Sequence, residues 1–313
     1  MPIDHTLAGY SDLSFRSAFA VYVVALIVSL IYYVRSRSLI EARREAAEEG
    51  VETPDFARKR SGLDKLGGMT QTLVWLGLII HFASVVLRGM SAHRFPWGNL
   101  YEYISLVTVM AVAVASVVLL KRDLRVMWPW VLTLILALMF YGGTKLYAEA
   151  APLVPALKSP WFPYHVSSVS IGASIGMISG MASILYLIRR AQPRGEEHGF
   201  LGTIAKPLPS AKTLDNIAYK AAIWALPIFG LGIILGAIWA DAAWNRFWNW
   251  DPKETVSFIT WILYAAYLHA RATSGWKNHF AAWINILAFA TMVFNLFFIN
   301  LVTSGLHSYA GLS

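Results

Sequence analysis

The chain has 313 residues, of which 57% are hydrophobic and 14% are charged, and its mean hydropathy is +0.52. A soluble domain carries roughly 25% charged residues, so this composition excludes an ordinary soluble protein. The net charge of +8 follows the membrane topology described below, so we expect no nucleic-acid partner. The sequence contains no cysteine, which excludes disulfides and thiolate ligands within the chain.

Several apolar segments reach the roughly 20 residues that a helix needs to cross the hydrocarbon core of a bilayer. They predict an all-α integral membrane protein with about eight transmembrane helices. The predicted spans are 15–34, 70–87, 102–120, 128–144, 165–188, 221–240, 254–270 and 281–302.

Lysine and arginine set the predicted orientation. The loops after predicted helices 1, 3, 5 and 7 hold most of the 26 basic residues, so they should face the cytoplasm. Both termini should then lie on the outer, extracytoplasmic side. The predicted outer loops are 88–101, 145–164, 241–253 and 303–313.

Two parts of the chain differ in composition. Residues 1–68 combine the first helix with a segment rich in both signs of charge, which we interpret as a solvated cytoplasmic helix or linker. Residues 69–313 form the predicted functional membrane domain. Within it, glycines recur at a spacing of four, which lets helices pack closely; they are Gly172, Gly176, Gly180, Gly232 and Gly236.

The most informative segment is 236–255, between predicted helices 6 and 7. Trp239, Trp244, Trp248 and Trp250 fall within twelve residues. An aromatic belt usually spreads over many helix ends, so this cluster favours a binding surface for a large flat aromatic ligand. Haem is the obvious candidate, and Arg246 would attract its propionates.

Two histidines flank this segment on the same predicted side. His165 begins helix 5, and His307 follows the end of helix 8. A helix N-terminus disfavours protonation of a nearby imidazole, so His165 should be neutral and able to ligate a metal. The pair would suit bis-histidine haem ligation. The alternative is a pair of interfacial histidines that hydrogen-bond lipid headgroups.

The sequence does not decide the roles of three other histidines. His269 lies one turn from the inner end of helix 7, where an ionisable residue is either functional or snorkels to the surface. His81, in the middle of helix 2, is either a ligand or a buried histidine bonded to a neighbouring helix. His93 lies in an outer loop, and the sequence leaves its role undetermined.

Two outer loops re-enter the membrane through similar motifs. Asp251-Pro252-Lys-Glu254 and Asn99-Leu-Tyr101-Glu102 both match helix capping boxes. These residues either only start their helices or also hold Trp250 and Tyr101 beside a ligand.

Taken together, these motifs match those of a known family. The chain resembles the CcsA/ResC-type (System II) cytochrome c biogenesis proteins of the tryptophan-rich, or WWD, haem-handling superfamily. The resemblance runs from predicted helix 2 onward. It rests on five ordered stretches: Pro96 to Glu102, Val154 to Trp161 ahead of His165-Val166, Leu214 to Tyr219, Gly236 to Arg271, and Gly305 to Tyr309. One departure is Asn245, where family members commonly have glycine.

The resemblance implies a role for each candidate residue. His165 and His307 would ligate haem iron outside, and His269 would hold haem nearer the cytoplasm, opposite a ligand from a partner. Haem b would be a substrate in transit, and we assign no catalytic residue. The remaining candidate haem-binding residues are Trp97, Asn99, Tyr101, Glu102, Trp239, Trp244, Arg246, Trp248, Trp250 and Asp251.

The implied function is to deliver haem to the Cys-x-x-Cys-His motif of an apocytochrome c, as one subunit of a cytochrome c synthase. The implied partners are a CcsB/ResB-type subunit, apocytochrome c and, indirectly, thioredoxin-like reductants. The implied location is the bacterial cytoplasmic membrane, or a thylakoid in a cyanobacterial or organellar setting, with the active face outside. Two alternatives remain: a b-type electron-transfer protein, and a transporter of another flat or lipidic ligand.

Overall fold

The computed structural model describes residues 2–49, 54–273, 278–303 and 305–306, and these ranges contain helices and no β-strand. Seven of the described helices are long and apolar enough to cross a membrane. The protein is therefore an all-helical, multi-pass membrane protein. The helices are α1 (His5–Glu49), α2 (Pro54–Ser91), α3 (Leu100–Val118), α4 (Trp128–Lys145), α5 (Trp161–Ala191), α6 (Gly199–Ala205), α7 (Ala211–Trp244), α8 (Pro252–Ala272) and α9 (Asn278–Phe294), which a π-helical turn (Asn295–Ile299) extends.

Each of the eight predicted spans is helical, but several helices continue well beyond their predicted ends. The 45 residues of α1 rise roughly 68 Å, more than twice the ~30 Å hydrocarbon core. The extension is rich in Glu, Ala and Arg, which favour helix in water as well as in lipid. Hydropathy marks only the apolar part of such a helix, and it missed the short α6.

Helix α8 covers the predicted span 254–270 but is not among the seven apolar helices. Its side chains nevertheless bond to α7 at several levels. The indole N–H of Trp261 donates to the carbonyl of Leu226 (3.1 Å), and Arg271 pairs with Asp215 (2.9 Å) near the start of α7. The number of membrane crossings and the sides of the two termini stay predictions.

One hydrophobic core joins α1 to the helices that follow. Phe15 and Tyr22 of α1 are buried and contact the ring of His81 on α2, with centroids 5.7 and 6.0 Å away. Nε2 of His81 lies 3.2 Å from the hydroxyl of Ser105 on α3. The interpretation of His81 as a buried histidine bonded to a neighbouring helix is confirmed. The division of the chain at residue 68 stays a prediction.

Gly172 of α5 and Gly232 of α7 bring these two helices into the close contact that glycines at this spacing allow. A Cβ at Gly172 would lie 2.8 Å from the backbone nitrogen of Phe229, and one at Gly232 would lie 2.9 Å from that of Val169. The two backbones therefore approach too closely for any side chain at these positions. Since α5 carries His165 and α7 carries Trp239, this contact positions the site.

Candidate functional site

His165 lies one turn into α5 and points toward α7. Its Nδ1 is 2.8 Å from the carbonyl oxygen of Gly232. A carbonyl can only accept, so Nδ1 carries a proton, and in the neutral ring the lone pair lies on Nε2. Metal-ligating histidines commonly donate their other ring nitrogen to a carbonyl in this way. The described geometry thus suits ligation through Nε2.

Trp239 packs against the ring of this histidine. It is only 1% exposed, and its ring stacks on His165 at 5.6 Å with an interplanar angle of 16°. Its indole N–H donates to the carbonyl of Ala156 (2.9 Å), which anchors α7 to the loop before α5. Trp244 packs against it at 4.9 Å. Trp239 is therefore a buried support for His165 rather than part of an open surface.

Trp248 and Trp250 form a separate aromatic group with Phe258 of α8. Both contact the ring of Phe258, at 6.1 and 6.3 Å, and meet each other edge to face at 5.7 Å. Trp250 is 66% exposed. Its φ of +56° is unusual for a bulky residue and costs roughly 1–2 kcal/mol. The four tryptophans thus form two groups. Trp239 and Trp244 lie beside His165, where Trp239 is buried, and Trp248 and Trp250 lie beside Phe258, where Trp250 is exposed.

The predicted capping box holds Trp250 in this conformation. The Asp251 carboxylate accepts from the backbone N–H of Lys253 (3.1 Å), and the Glu254 carboxylate accepts from those of Asp251 (3.1 Å) and Asn249 (3.0 Å). Asp251 also accepts from the N–H of Leu306 (3.0 Å), which ties the C-terminal segment to the start of α8. His307 lies outside the described residues, so its proposed role in ligation stays a prediction.

Asn245 ends α7 in the left-handed region, with φ +55° and ψ +39°. Glycine is the usual residue at such a helix end, and asparagine is the next most tolerant. Asparagine therefore fits this left-handed position and closes α7 without a glycine.

The second predicted loop contributes Trp97 and Asn99. Asn99 caps α3 by accepting from the N–H of Glu102 (2.9 Å), and Trp97 stacks flat on Phe95 at 4.8 Å. Both Trp97 and Asn99 line a cavity of about 90 Å³ that also contains His165. The structure therefore brings these two predicted residues to the histidine.

Tyr101 and Glu102 instead face the interior of the bundle. Tyr101 packs between Phe15 and Tyr147, each at 5.3 Å. The Glu102 carboxylate is fully buried and pairs with Arg88 (2.9 Å) and Arg94 (2.8 Å). It also accepts from the N–H of Gly98 (2.7 Å). Glu102 thus holds the loop that carries Trp97, and direct ligand contact by Tyr101 or Glu102 stays a prediction.

The enclosed space around His165 is small. The cavity beside Trp97 measures about 90 Å³, and a second, beside Trp248, measures about 70 Å³. Sites that enclose a drug-sized ligand measure roughly 300–1,000 Å³. A ligand as large as haem would therefore extend over the exposed face of the site.

Among the predicted haem-binding residues, two have a buried polar side-chain atom without a hydrogen-bond partner in the described part of the chain. These atoms are Nη1 of Arg246 and Nε1 of Trp97. Both are donors, and an unsatisfied buried donor costs roughly 1–3 kcal/mol. An anionic or carbonyl-bearing ligand would satisfy them, which fits the carboxylates of haem.

His269 occupies the opposite end of the protein. It is exposed on α8, on the same helix face as the exposed residues Ile262 and Ala266. The structure does not bring it near His165. Its neighbour Arg271 faces inward, where it pairs with Asp215 and lies over the ring of Tyr219 at 5.0 Å.

Gly232 and Gly236 have a second role that their spacing did not predict. Both were assigned to helix packing, but Gly232 also supplies the carbonyl that orients His165. A Cβ at Gly236 would lie 2.7 Å from Cε1 of His165, so this glycine makes room for the ring. The sequence feature that could have indicated this role is the spacing of four between the two glycines, close to Trp239 on the same helix.

Comparisons with known proteins identify the family of the chain. A family model described as "Cytochrome C assembly protein" matches residues 97–307. The chain is 34% identical to the cytochrome c biogenesis protein CcsA of Guillardia theta, over 76% of this chain and 91% of that protein. It is 31% identical to the CcsA of Gloeobacter violaceus, over 72% and 81% of the two chains.

A solved structure shares the fold. The protein titled "Cytochrome c Heme Lyase CcmF" superposes with a TM-score of 0.63 at 17% identity. The match covers 99% of this chain and 49% of that one, so this chain spans about half the length of the solved protein. At this identity the likeness concerns the fold alone.

Proposed function

We propose a function from one premise, that this chain belongs to the cytochrome c assembly protein family and acts in cytochrome c maturation. In our proposal it is the CcsA-type subunit of a System II cytochrome c synthase. It receives haem b as a substrate and presents it to apocytochrome c on the outer side of the membrane.

The observation that carries this proposal is the environment of His165. Its proton is held on Nδ1 by the Gly232 carbonyl, and its ring stacks on buried Trp239. Fixing both tautomer and ring plane prepares Nε2 to meet iron from one direction. We assign the opposite axial position to His307.

The rest of the site would hold the porphyrin and its carboxylates. Exposed Trp250 offers an aromatic face, and Arg246 has a buried donor to offer a propionate. Because the enclosed cavities are small, most of the bound haem would remain accessible from outside. Such exposure suits a protein that must hand its ligand to another protein.

The reaction would be thioether formation. The histidine of the apocytochrome motif would replace one histidine of this chain on the iron. Each cysteine S–H would then add across one vinyl group, with sulfur bonding to one carbon and hydrogen to the other, so that no external electron acceptor is needed. The contribution of this chain would be positioning, which can lower a barrier by several kcal/mol. It would thus template the reaction as part of the synthase.

Haem would arrive through a second site at His269. This histidine is exposed at the other end of α8, so a ligand opposite it would come from another chain. We assign that ligand to a CcsB/ResB-type subunit, and we expect thioredoxin-like proteins to keep the apocytochrome cysteines reduced. The proposed location is a bacterial cytoplasmic or thylakoid membrane, with the tryptophan segment on the extracytoplasmic side.

The test is to co-express the chain with its partner and a reporter cytochrome c, and to compare His165→Ala with His198→Ala. His198 is exposed in the loop between α5 and α6 and serves as the matched control. We expect His165→Ala to abolish holocytochrome formation while membrane insertion is unchanged, and the control to behave as the unaltered chain. Normal holocytochrome in His165→Ala would refute the proposal.

An absorption spectrum of each purified complex separates the alternatives. Low-spin haem bands that shift in His165→Ala support the synthase. Stoichiometric haem that is indifferent to His165 would favour a b-type cytochrome. A complete lack of haem would favour a transporter of another ligand.

A further inference from the structure

A large cleft of about 1120 Å³ lies at the end of the bundle opposite the tryptophan segment. Its walls come mainly from α1, from the end of α3 with the turn that follows it, and from the start of α7. Among the described candidates for haem ligation, neither His165 nor His269 lines it. The cleft is therefore separate from both proposed haem sites.

Four basic side chains from separate segments line this cleft: Arg43, Lys121, Arg194 and Lys220. None of the four forms an ion pair with a carboxylate of the described chain, whereas nearby Arg122 and Lys206 are paired with Asp64 and Glu41. The cleft has one acidic lining residue, Asp123, so its lining carries a clear positive excess.

Part of the cleft wall is apolar. Val114 and Val117 of α3 and Trp224 of α7 line it, and Val117 and Trp224 are 64% and 66% exposed. On α7, Lys220 and Trp224 are separated by four positions, or roughly 6 Å along the helix axis, with Lys220 nearer the start of the helix. The cations and the apolar wall are thus stacked in depth, as the phosphate and the upper acyl chains of a lipid are.

We propose that this cleft binds an anionic phospholipid. Its phosphate lies among Arg43, Lys121, Arg194 and Lys220, and an acyl chain lies against Val117 and Trp224. Basic pockets between transmembrane helices, at the membrane surface, are suited to anionic headgroups. The bound lipid fills the space between α3 and α7 and links the two helices. The proposal does not depend on haem chemistry.

The experiment is native mass spectrometry of the purified full chain, titrated with phosphatidylglycerol or with phosphatidylcholine of the same acyl chains. The double variant Lys121→Gln with Lys220→Gln removes two cleft charges. The matched control, Arg190→Gln with Lys212→Gln, removes two charges from exposed residues near the same end that do not line the cleft. We expect the cleft variant to weaken phosphatidylglycerol binding at least about tenfold, and the control to change it less than about twofold.

Two more variants test the geometry. Lys121→Arg with Lys220→Arg keeps the charges and should keep the lipid. Val117→Trp keeps all four cations but blocks the apolar wall, and should release the lipid; it also carries the test if the glutamine variant does not fold. Equal binding of the two lipids, or equal losses in cleft and control variants, would overturn the proposal. Displacement of the lipid by the partner subunit, or loss of haem from the cleft variant, would assign the cleft to that other occupant.

Discussion

A Cβ built on Gly236 lies 2.7 Å from Cε1 of His165, so these two residues occupy their positions only because Gly236 has no side chain. The Gly232 carbonyl, one turn earlier on α7, accepts the Nδ1 proton of the same histidine. One face of α7 therefore sets both the position and the tautomer of the proposed iron ligand.

The first prediction follows from this contact. Gly236→Ala should push the His165 ring away from Gly232 and Trp239, and should lower holocytochrome formation at least about tenfold, since a loss of alignment worth 1.4 kcal/mol has that effect. The matched control is Gly68→Ala, because a Cβ at Gly68 meets nothing within 4 Å. Equal activity of the two variants would show that the alignment of His165 is unimportant.

The second prediction concerns stability. Glu102→Ala removes the buried carboxylate that pairs with Arg88 and Arg94, which leaves two buried guanidinium groups without it. Breaking a buried ion pair costs about 3–5 kcal/mol, so the melting temperature of the detergent-purified chain should fall sharply. Glu149→Ala, at an exposed position of the loop after α4, is the control. A melting curve unchanged by Glu102→Ala would contradict the role of this network.

The third prediction concerns Arg246. If its buried Nη1 donates to a haem propionate, Arg246→Gln should weaken haem retention roughly 10- to 100-fold, because a hydrogen bond to a charged group contributes about 1.5–3 kcal/mol. The pyridine haemochrome assay on the purified complex measures the retained haem. Lys158→Gln, an exposed residue of the loop before α5, should retain haem normally. The proposal for Arg246 fails if both variants retain the same amount.

The fourth prediction tests the turn at the end of α7. Asn245 has φ +55°, so Asn245→Gly should preserve activity, whereas Asn245→Val should lower it because a β-branched residue is strained there. Trp248 and Trp250 follow this turn, so the displaced rings should also change the near-ultraviolet circular dichroism. Matching spectra and activities for the valine and glycine variants would argue against a rigid turn.

The helical caps show where sequence reasoning was accurate. Asp251 with Glu254, and Asn99 at the start of α3, were predicted from a few neighbouring letters, and both caps are present. Caps and turns depend on contacts within one turn of chain, so local sequence contains nearly all the relevant information. The second half of the capping box predicted at Asn99 does not form. The Glu102 carboxylate bonds to Gly98, Arg88 and Arg94 instead of the Asn99 backbone.

The sequence by itself determined that the protein is a helical membrane protein, where its apolar spans lie, and to which family it belongs, because these depend on composition, hydropathy and ordered motifs. Only the tertiary structure decided that Trp239 is buried under His165, that Trp250 is exposed, that Tyr101 and Glu102 face the interior, and that four cations share one cleft. Those outcomes depend on which helix faces meet. That choice is made by packing between residues far apart in the chain, and a local pattern does not record it.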